Sequence, residues 1–160
     1  LLDTGSFHDV CFVVEEERVH AHRSHLSARC EYFRSMFSAG FLEGDGGEIQ
    51  IEDTSSAAFK ALLKYLYTDD MKVDDDEVLF DLAKLCDQYQ VERLHNYWLH
   101  QLFKGITIQN AVMRLVQAHT ASGEGPIWAN TLKRTTMRYV TRNLDEIRSS
   151  ANRKGNAGAS

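Results

Sequence analysis

The first part of the chain changes its hydrophobic period part-way, and this change restricts the folds that the sequence can adopt. The segment DVCFVV, residues 9–14, is a β-branched and aromatic run without alternation, which is typical of a strand buried on both faces. A polar turn, EEER, leads into VHAHR, whose alternation predicts the second strand of a hairpin. After Leu26 the period becomes helical. Cys30, Phe33 and Phe37 share one face, which predicts a single amphipathic helix.

The rest of the sequence predicts one more strand and then only helices. GDGG interrupts the helical pattern, and EIQIED alternates in a way that points Ile49 and Ile51 inward. Asp53, Thr54 and Ser55 are candidate N-caps for the helix that follows. The apolar sets that define the later helices are Phe59, Leu62, Leu63 and Leu66, then Val78, Leu82, Cys86 and Tyr89, then Leu94, Trp98 and Leu102, then Ile108, Val112 and Leu115, and last Trp128, Leu132 and Leu144. This order predicts an α+β fold, in which helices cap one side of a small sheet.

Composition and charge argue against several functional classes. The chain has 160 residues, which suits one domain with a helical extension, and it does not begin with Met, which suggests a piece of a longer protein. Its net charge of −5 argues against nucleic-acid binding, and it has no apolar run of the roughly 20 residues that span a membrane. Three widely spaced cysteines favour a reducing compartment, in the cytoplasm or the nucleus. Residues 151–160 are small and polar, so we expect a disordered tail.

Three histidines and a cysteine lie close together in the sequence and raise the question of a metal site. His20 and His22 are two apart on a strand and face the same way, as zinc ligands would. However, His25 and Cys30 belong to a different element, and no CxxC, HExxH or HxxxH spacing completes a ligand set. We therefore predict no metal site: one histidine makes a buried hydrogen bond and the other two lie at the surface.

The sequence offers no clear arrangement for catalysis. Cys30 beside Arg29 is a candidate nucleophile, but Cys30 falls on the apolar face of the predicted helix, where structural cysteines are far more common. GxSxG and GxGxxG motifs are absent, GDGG has no P-loop lysine, and DDMKVDDDE lacks the ligand alternation of a calcium loop. We therefore expect a protein that is not an enzyme and that needs no cofactor.

Taken in order, these segments resemble a BTB/POZ domain. The resemblance is carried by FHDVCFVVEEERVHAHRSHLSARCEYFRSMF, EIQIED, FKALLKYLYTDD and LAKLCDQYQVERL. RCEYFRSMF, YLYTD and GITIQNA are especially similar to the BTB domains of proteins with regulator-of-chromosome-condensation repeats. GITIQNAVMRLVQAH and the helices after it resemble the start of a BACK domain. The resemblance implies a BTB/POZ domain over residues 7–104 and a partial BACK-like extension over residues 105–150.

The resemblance implies a protein-interaction module. BTB domains joined to a BACK-like box commonly act as substrate adaptors for cullin-3 ubiquitin ligases. Such adaptors carry a hydrophobic residue, any residue and a glutamate after the helix that ends RSMF. Here this motif is FLE: Phe41, Leu42 and Glu43. An aromatic side chain that fills a pocket on a partner contributes about 2 kcal/mol. The alternative is that Phe41 or Leu42 folds back onto the domain.

Dimerisation is the second property that the resemblance implies. It uses an N-terminal helix together with a buried aspartate and a basic partner, and Asp9 and Arg23 stand at those two positions. Leu1 and Leu2 match the last turn of that helix, so we expect this chain to be monomeric or to dimerise weakly. The alternative for Asp9 and Arg23 is that they tie the hairpin to the first helix, and such a pair is weak evidence for stability.

These expectations allow two functions. The first is a cullin-3 adaptor that recruits its substrate through a domain outside these residues and raises the effective concentration of that substrate at the ligase. The second is a dimerisation scaffold, related to transcription or assembly, that does not bind a cullin. The FLE motif and the BACK-like helices favour the adaptor. Zinc fingers would favour the scaffold, and none occur in this sequence.

Overall fold

A computed structural model gives the fold of the chain in two compact units, residues 1–98 and residues 99–160. It describes residues 7–39, 48–73, 75–121 and 127–149. The elements are β1 (Val10–Val14), β2 (Glu17–Ala21), α1 (Arg23–Arg29), α2 (Glu31–Ser38), β3 (Glu48–Ile51), α3 (Ser56–Thr68), α4 (Asp76–Gln88), α5 (Glu92–Lys104), α6 (Ala111–Ala121) and α7 (Ile127–Arg142). A short helical segment covers residues 144–149. The predicted α+β fold is confirmed.

The sheet has the order β2-β1-β3, so the first strand of the sequence is the central one. β1 pairs with β2 as an antiparallel hairpin and with β3 in parallel. Val10, Phe12 and Val14 are buried on the helical side, whereas Cys11 and Val13 on the other side are half-buried. The prediction that β1 is buried on both faces is therefore wrong, because the described helices leave the outer face of the sheet partly open to solvent.

The hairpin turn also fixes the start of α3. Glu15 and Glu16 have positive φ angles of 47° and 71°, as a tight hairpin turn between twisted strands requires. The Glu15 carboxylate accepts a 2.8 Å hydrogen bond from the Ser56 backbone N–H, and the Glu17 carboxylate accepts one from the Ser56 hydroxyl. Both carboxylates lie at the N-terminus of α3, where the partial positive charge of a helix favours anions.

The first two helices differ from the prediction in one respect. The sequence predicted one amphipathic helix, but Cys30 is extended, with φ −146° and ψ 122°, and separates α1 from α2. The burial of Cys30 is confirmed, because it is 5% exposed and its thiol donates to the Tyr89 carbonyl at 3.5 Å. One extended residue changes the helix direction while Leu26 and Phe33 both remain in the core.

The predicted start of α3 is confirmed, because Ser55 is its side-chain N-cap, and α4 is capped in the same way by Asp75. The Ser55 hydroxyl accepts from the Ala58 N–H, and the Asp75 carboxylate accepts from the Glu77 N–H at 2.9 Å. α3 ends at Asp69, which takes the left-handed conformation at φ 57°.

The second unit corrects the predicted face of α6. Ile108, Val112 and Leu115 were expected inward, but Val112 is 51% exposed, and Ile108 and Leu115 are half-buried. The residues of α6 that are buried are Ala111, Arg114 and Ala118. Leu144, also expected in the core, is 45% exposed, whereas Trp128 and Leu132 are buried on α7, which packs against α6.

Arg114 explains why the face of α6 is shifted. Its guanidinium is buried and donates a hydrogen bond to the Leu102 carbonyl in the last turn of α5. The last carbonyls of a helix have no partner within the helix and carry partial negative charge, so a cation at this place is favourable. Asn110 closes the same connection by donating from Nδ2 to the Gly105 carbonyl at 2.9 Å and accepting from the Thr107 N–H at 2.8 Å.

Among the described residues, no helix has both the length and the apolar character that are needed to cross a membrane.

Gly105→Ala is expected to destabilise the connection between α5 and α6. An added Cβ would lie 3.0 Å from the Gln101 carbonyl oxygen and 3.0 Å from one Arg114 guanidinium nitrogen, and the backbone oxygen has little freedom to move. We expect the free energy of unfolding to fall by about 1–3 kcal/mol, measured by thermal denaturation. Gln109→Ala, at an exposed position of the same connection, is the matched control. Equal melting temperatures for the two variants would contradict the tight packing around Arg114.

Candidate interaction surface

Two of the three clustered histidines, His22 and His25, make contacts inside the first unit. The Tyr67 hydroxyl accepts the His22 backbone N–H at 2.9 Å and lies 2.8 Å from His22 Nδ1. The His25 ring stacks on the Tyr67 ring with centroids 4.2 Å apart, and its Nε2 lies 3.1 Å from the Leu66 carbonyl oxygen. His20 is exposed, as predicted. The expectation of one internal histidine needs correction, because His22 and His25 are both half-buried and hydrogen-bonded.

No group of three or more His, Cys, Asp and Glu side chains in the described residues has a geometry that would hold a metal ion. Burial raises the pKa of the Tyr67 hydroxyl, and the nearby Asp9 carboxylate also raises it, while the hydrogen bond from the His22 N–H lowers it. A neutral hydroxyl therefore joins β2 and α1 to the end of α3. Its role is structural.

Tyr67→Phe is expected to lower the free energy of unfolding by about 1 kcal/mol, because the His22 N–H loses its acceptor in a partly buried place. Urea denaturation followed by circular dichroism measures the change. Tyr97→Phe is the matched control, since Tyr97 is 38% exposed, and it should change the stability by less than about 0.5 kcal/mol. If Tyr67→Phe were as stable as the parent protein, the hydroxyl would not hold these elements together.

The three cysteines occupy different environments. Cys30 and Cys86 are buried, and Cys11 is half-buried on the outer face of the sheet. Burial raises the pKa of the Cys86 thiol far above its ordinary value, and Cys30 adds to this effect. Burial, followed by the Glu48 carboxylate, raises the pKa of Cys11. Cys30, the candidate nucleophile, is buried and lacks the open position that a nucleophile requires.

Alkylation with iodoacetamide should distinguish the three thiols. In the native protein we expect Cys11 to be modified first, faster as the pH rises, while Cys30 and Cys86 stay protected because the reagent cannot reach them. Peptide mass spectrometry after timed quenching measures the order. All three should react in urea, which serves as the control. Modification of Cys30 before Cys11 in the native protein would restore the nucleophile hypothesis.

A groove of about 680 Å³ lies in the first unit and is the main candidate surface. α2, β3 and the C-terminal end of α4 form its walls. Its lining residues are Tyr32, Ser35, Met36, Glu48, Ile49, Gln50, Ile51, Glu52, Asp53, Gln88 and Tyr89. Four consecutive residues of β3 contribute, and alternate residues of a strand point to opposite faces. The groove therefore follows the edge of β3 that does not pair with β1.

Two stacked tyrosines form the aromatic part of the groove. The Tyr32 and Tyr89 rings lie 4.2 Å apart at an angle of 10°. Tyr89 is anchored by its edge contact with Phe33 at 5.3 Å and by the Cys30 thiol on its carbonyl, whereas Tyr32 is half-buried. Burial raises the pKa of Tyr89 well above its ordinary value, so this hydroxyl is neutral. Tyr89 is only 2% exposed, so it supports the half-buried Tyr32 ring, which is the part of the pair that a partner could contact.

The charged residues of the groove are all acidic. Glu48, Glu52 and Asp53 line it, and no described lining residue is Lys or Arg. Arg18 forms a 2.8 Å ion pair with Glu48 and lowers the pKa of that carboxyl. Glu52 and Asp53 are exposed beyond the end of β3. Charged side chains beside an unpaired strand edge discourage pairing with another strand of like charge.

The predicted motif Phe41, Leu42 and Glu43 lies outside the described residues, as do Leu1 and Leu2. The chain leaves α2 at Ser38 and enters β3 at Glu48, so the motif is connected at both ends to walls of the groove.

Asp9 and Arg23 are in contact, but not in the expected way. The Asp9 carboxylate accepts a 2.7 Å hydrogen bond from the Arg23 backbone N–H at the start of α1. The Arg23 guanidinium instead donates to the Phe37 carbonyl at 3.4 Å and lies 5.2 Å from the centre of the Phe37 ring. Asp9 is exposed in the single chain, so the expected burial of this aspartate is not observed. The pair ties the hairpin to the first helices.

A family model described as BTB/POZ domain matches residues 1–102. The chain belongs to the BTB/POZ family. BTB/POZ domain-containing protein 9 of Homo sapiens is 40% identical over 116 residues, which cover 71% of this chain and 19% of that protein. Kelch-like protein 22 of Xenopus tropicalis is 32% identical over 112 residues, which cover 70% of this chain and 17% of that protein. The chain thus spans about a fifth of the length of these relatives.

A solved structure also matches this BTB domain. The BTB domain of zebrafish PATZ1 is 28% identical, with a TM-score of 0.54, and the match covers 65% of this chain and 81% of that one. The BTB domain is a protein–protein interaction module, which agrees with an open groove on its surface.

Sequence reasoning did not foresee that Tyr32 stacks on Tyr89 in the groove of this BTB domain. The expected burial of Tyr89 is confirmed, because it is 2% exposed, whereas Tyr32 is half-buried. Ring stacking between distant positions has no signature in the sequence.

Proposed function

We propose that this BTB domain is the cullin-binding part of a substrate adaptor for a cullin-3 ubiquitin ligase. The observation that carries the proposal is the place of the FLE motif, Phe41 to Glu43, between α2 and β3. Both of these elements form walls of the groove that contains the stacked tyrosines. In this proposal, the connection between α2 and β3 presents the Phe41 side chain to the cullin.

The similarity to Kelch-like protein 22 and to mouse Kelch repeat and BTB domain-containing protein 3 supports an adaptor role. The name of the second relative joins Kelch repeats to a BTB domain, which suits a protein that binds two partners through separate regions. By the same reasoning, the substrate would bind outside these 160 residues. Residues 105–150 would be a partial BACK-like extension, in which α6 and α7 form a packed helical pair.

The mechanism of such an adaptor is bridging. The BTB domain binds the cullin, a second region binds the substrate, and the effective concentration of the substrate near the ligase increases. The groove needs no reactive group for this role. Its apolar surface supplies affinity, and its acidic rim of Glu48, Glu52 and Asp53 adds orientation and selectivity.

Isothermal titration with the N-terminal domain of cullin-3 tests the proposal. We expect the 160-residue chain to bind, and Phe41→Ala to weaken the affinity at least about tenfold, which corresponds to about 1.4 kcal/mol. The reason is the loss of an aromatic anchor from a partner pocket.

Phe7→Ala is the matched control for that titration, because Phe7 is a phenylalanine of the first unit whose side chain is 93% exposed. Its affinity should equal that of the parent. Equal weakening by both variants would mean a general loss of apolar contact. The absence of binding by a folded parent would contradict the adaptor proposal. A dimer mass in sedimentation would then favour the dimerisation scaffold.

A further inference from the structure

Positive charge is concentrated in the second unit. Residues 99–160 contain nine Lys and Arg but three Asp and Glu, whereas residues 1–98 contain nine Lys and Arg but twenty Asp and Glu. The net charge of the whole chain hides this division. A strongly basic unit in an acidic protein suggests that this unit binds a partner.

The basic charge of the second unit is organised on one face of α7. Arg134, Arg138 and Arg142 are all exposed and recur every four residues, so they form a ridge that rises about 6 Å per step. The other exposed positions of this face are Ile127, Asn130, Met137 and Thr141. None of the seven residues is acidic. The opposite face, with Trp128, Ala129, Leu132 and Thr136, is buried.

The three arginines are not neutralised within the described part of the chain. No ion pair there involves Arg134, Arg138 or Arg142. In the described part of the first unit, Asp69 pairs with Arg29 and Asp70 pairs with Lys64. The ridge is therefore available to an external anion.

Large apolar side chains lie among the arginines. Ile127 is 87% exposed and Met137 is 48% exposed, and both share the face of the ridge. Arg and Met are enriched in protein interfaces, where an apolar contact excludes water and strengthens the surrounding ion pairs.

We propose that the basic face of α7 docks an acidic amphipathic helix of a partner protein. Carboxylates at positions i, i+4 and i+8 of that helix would match the spacing of Arg134, Arg138 and Arg142. Its apolar residues would cover Met137 and Ile127. This surface is formed by other residues than the groove, and the proposal does not depend on the proposed binding of a cullin.

An acidic helix fits the basic face of α7 better than a nucleic acid or a membrane does. A nucleic acid would leave the exposed side chains of Ile127 and Met137 without apolar contact. A membrane would need a broad apolar face, but the apolar face of α7 is already buried against the protein.

Fluorescence anisotropy with a labelled helical peptide tests the docking. The probe has glutamates at i, i+4 and i+8 with leucines beside them, and a second peptide has lysines in place of the glutamates. We expect the acidic peptide alone to bind the 160-residue chain, more weakly as salt is raised. Arg138→Glu should weaken binding about fivefold or more. Arg148→Glu, an exposed arginine outside the ridge, should leave it nearly unchanged.

Several results would overturn the proposal. One is that the acidic peptide does not bind at low salt, and another is that Arg138→Glu and Arg148→Glu lose equal affinity for it. A third is that a single-stranded DNA oligonucleotide or a phosphatidylserine vesicle binds as tightly as the peptide. Self-association of the parent that Arg138→Glu abolishes would assign the face to a second copy of the chain. If Arg138→Glu also removed cullin-3 binding, the face would belong to the cullin interface. Cullin-3 binding that survives in Arg138→Glu, together with lost peptide binding, supports two independent surfaces.

Discussion

The contact of Phe12 with two helices organises the first unit. Phe12 lies on the central strand and packs edge-on against Phe33 of α2, at 5.6 Å, and Phe59 of α3, at 5.1 Å. All three side chains are fully buried. Phe12 therefore holds the sheet together with α2 and α3, which precede and follow β3 in the sequence. Edge-to-face aromatic packing of this kind contributes beyond the area it buries. The groove depends on it, because α2 and β3 are two of its walls.

Much of this fold was predictable from local pattern. The hairpin and the inward face of α2 follow from the hydrophobic period, and the capped starts of α3 and α4 follow from their capping residues. Each of these signals acts over a few neighbouring positions. The features that escaped prediction depend on distant partners. Cys30 interrupts a helix whose apolar spacing continues through it, and Arg114 is buried because α5 presents its terminal carbonyl. A count of apolar residues cannot reveal a cation that occupies a core position.

The candidate surface shows the same limit. The FLE motif rests on the family resemblance and stays a prediction, because residues 41–43 lie outside the described part of the chain. The stacked pair Tyr32 and Tyr89 could not be read, because the two residues come from different helical ends and meet only in the folded unit. Asp9 and Arg23 were correctly brought together, yet through a backbone N–H and not through two charged side chains.

Charge distribution decides more about partners than net charge does. The value of −5 was used to argue against nucleic-acid partners, but it averages an acidic unit and a basic one. Because salt screens exposed charges beyond roughly 8–10 Å, a partner at α7 responds mainly to the nearby arginines and not to the whole-chain sum. An exposed ion pair contributes little by itself, so a basic ridge gains affinity only where apolar contacts remove water around it. Met137 and Ile127 supply those contacts on α7, which is why the ridge is suited to a folded protein segment.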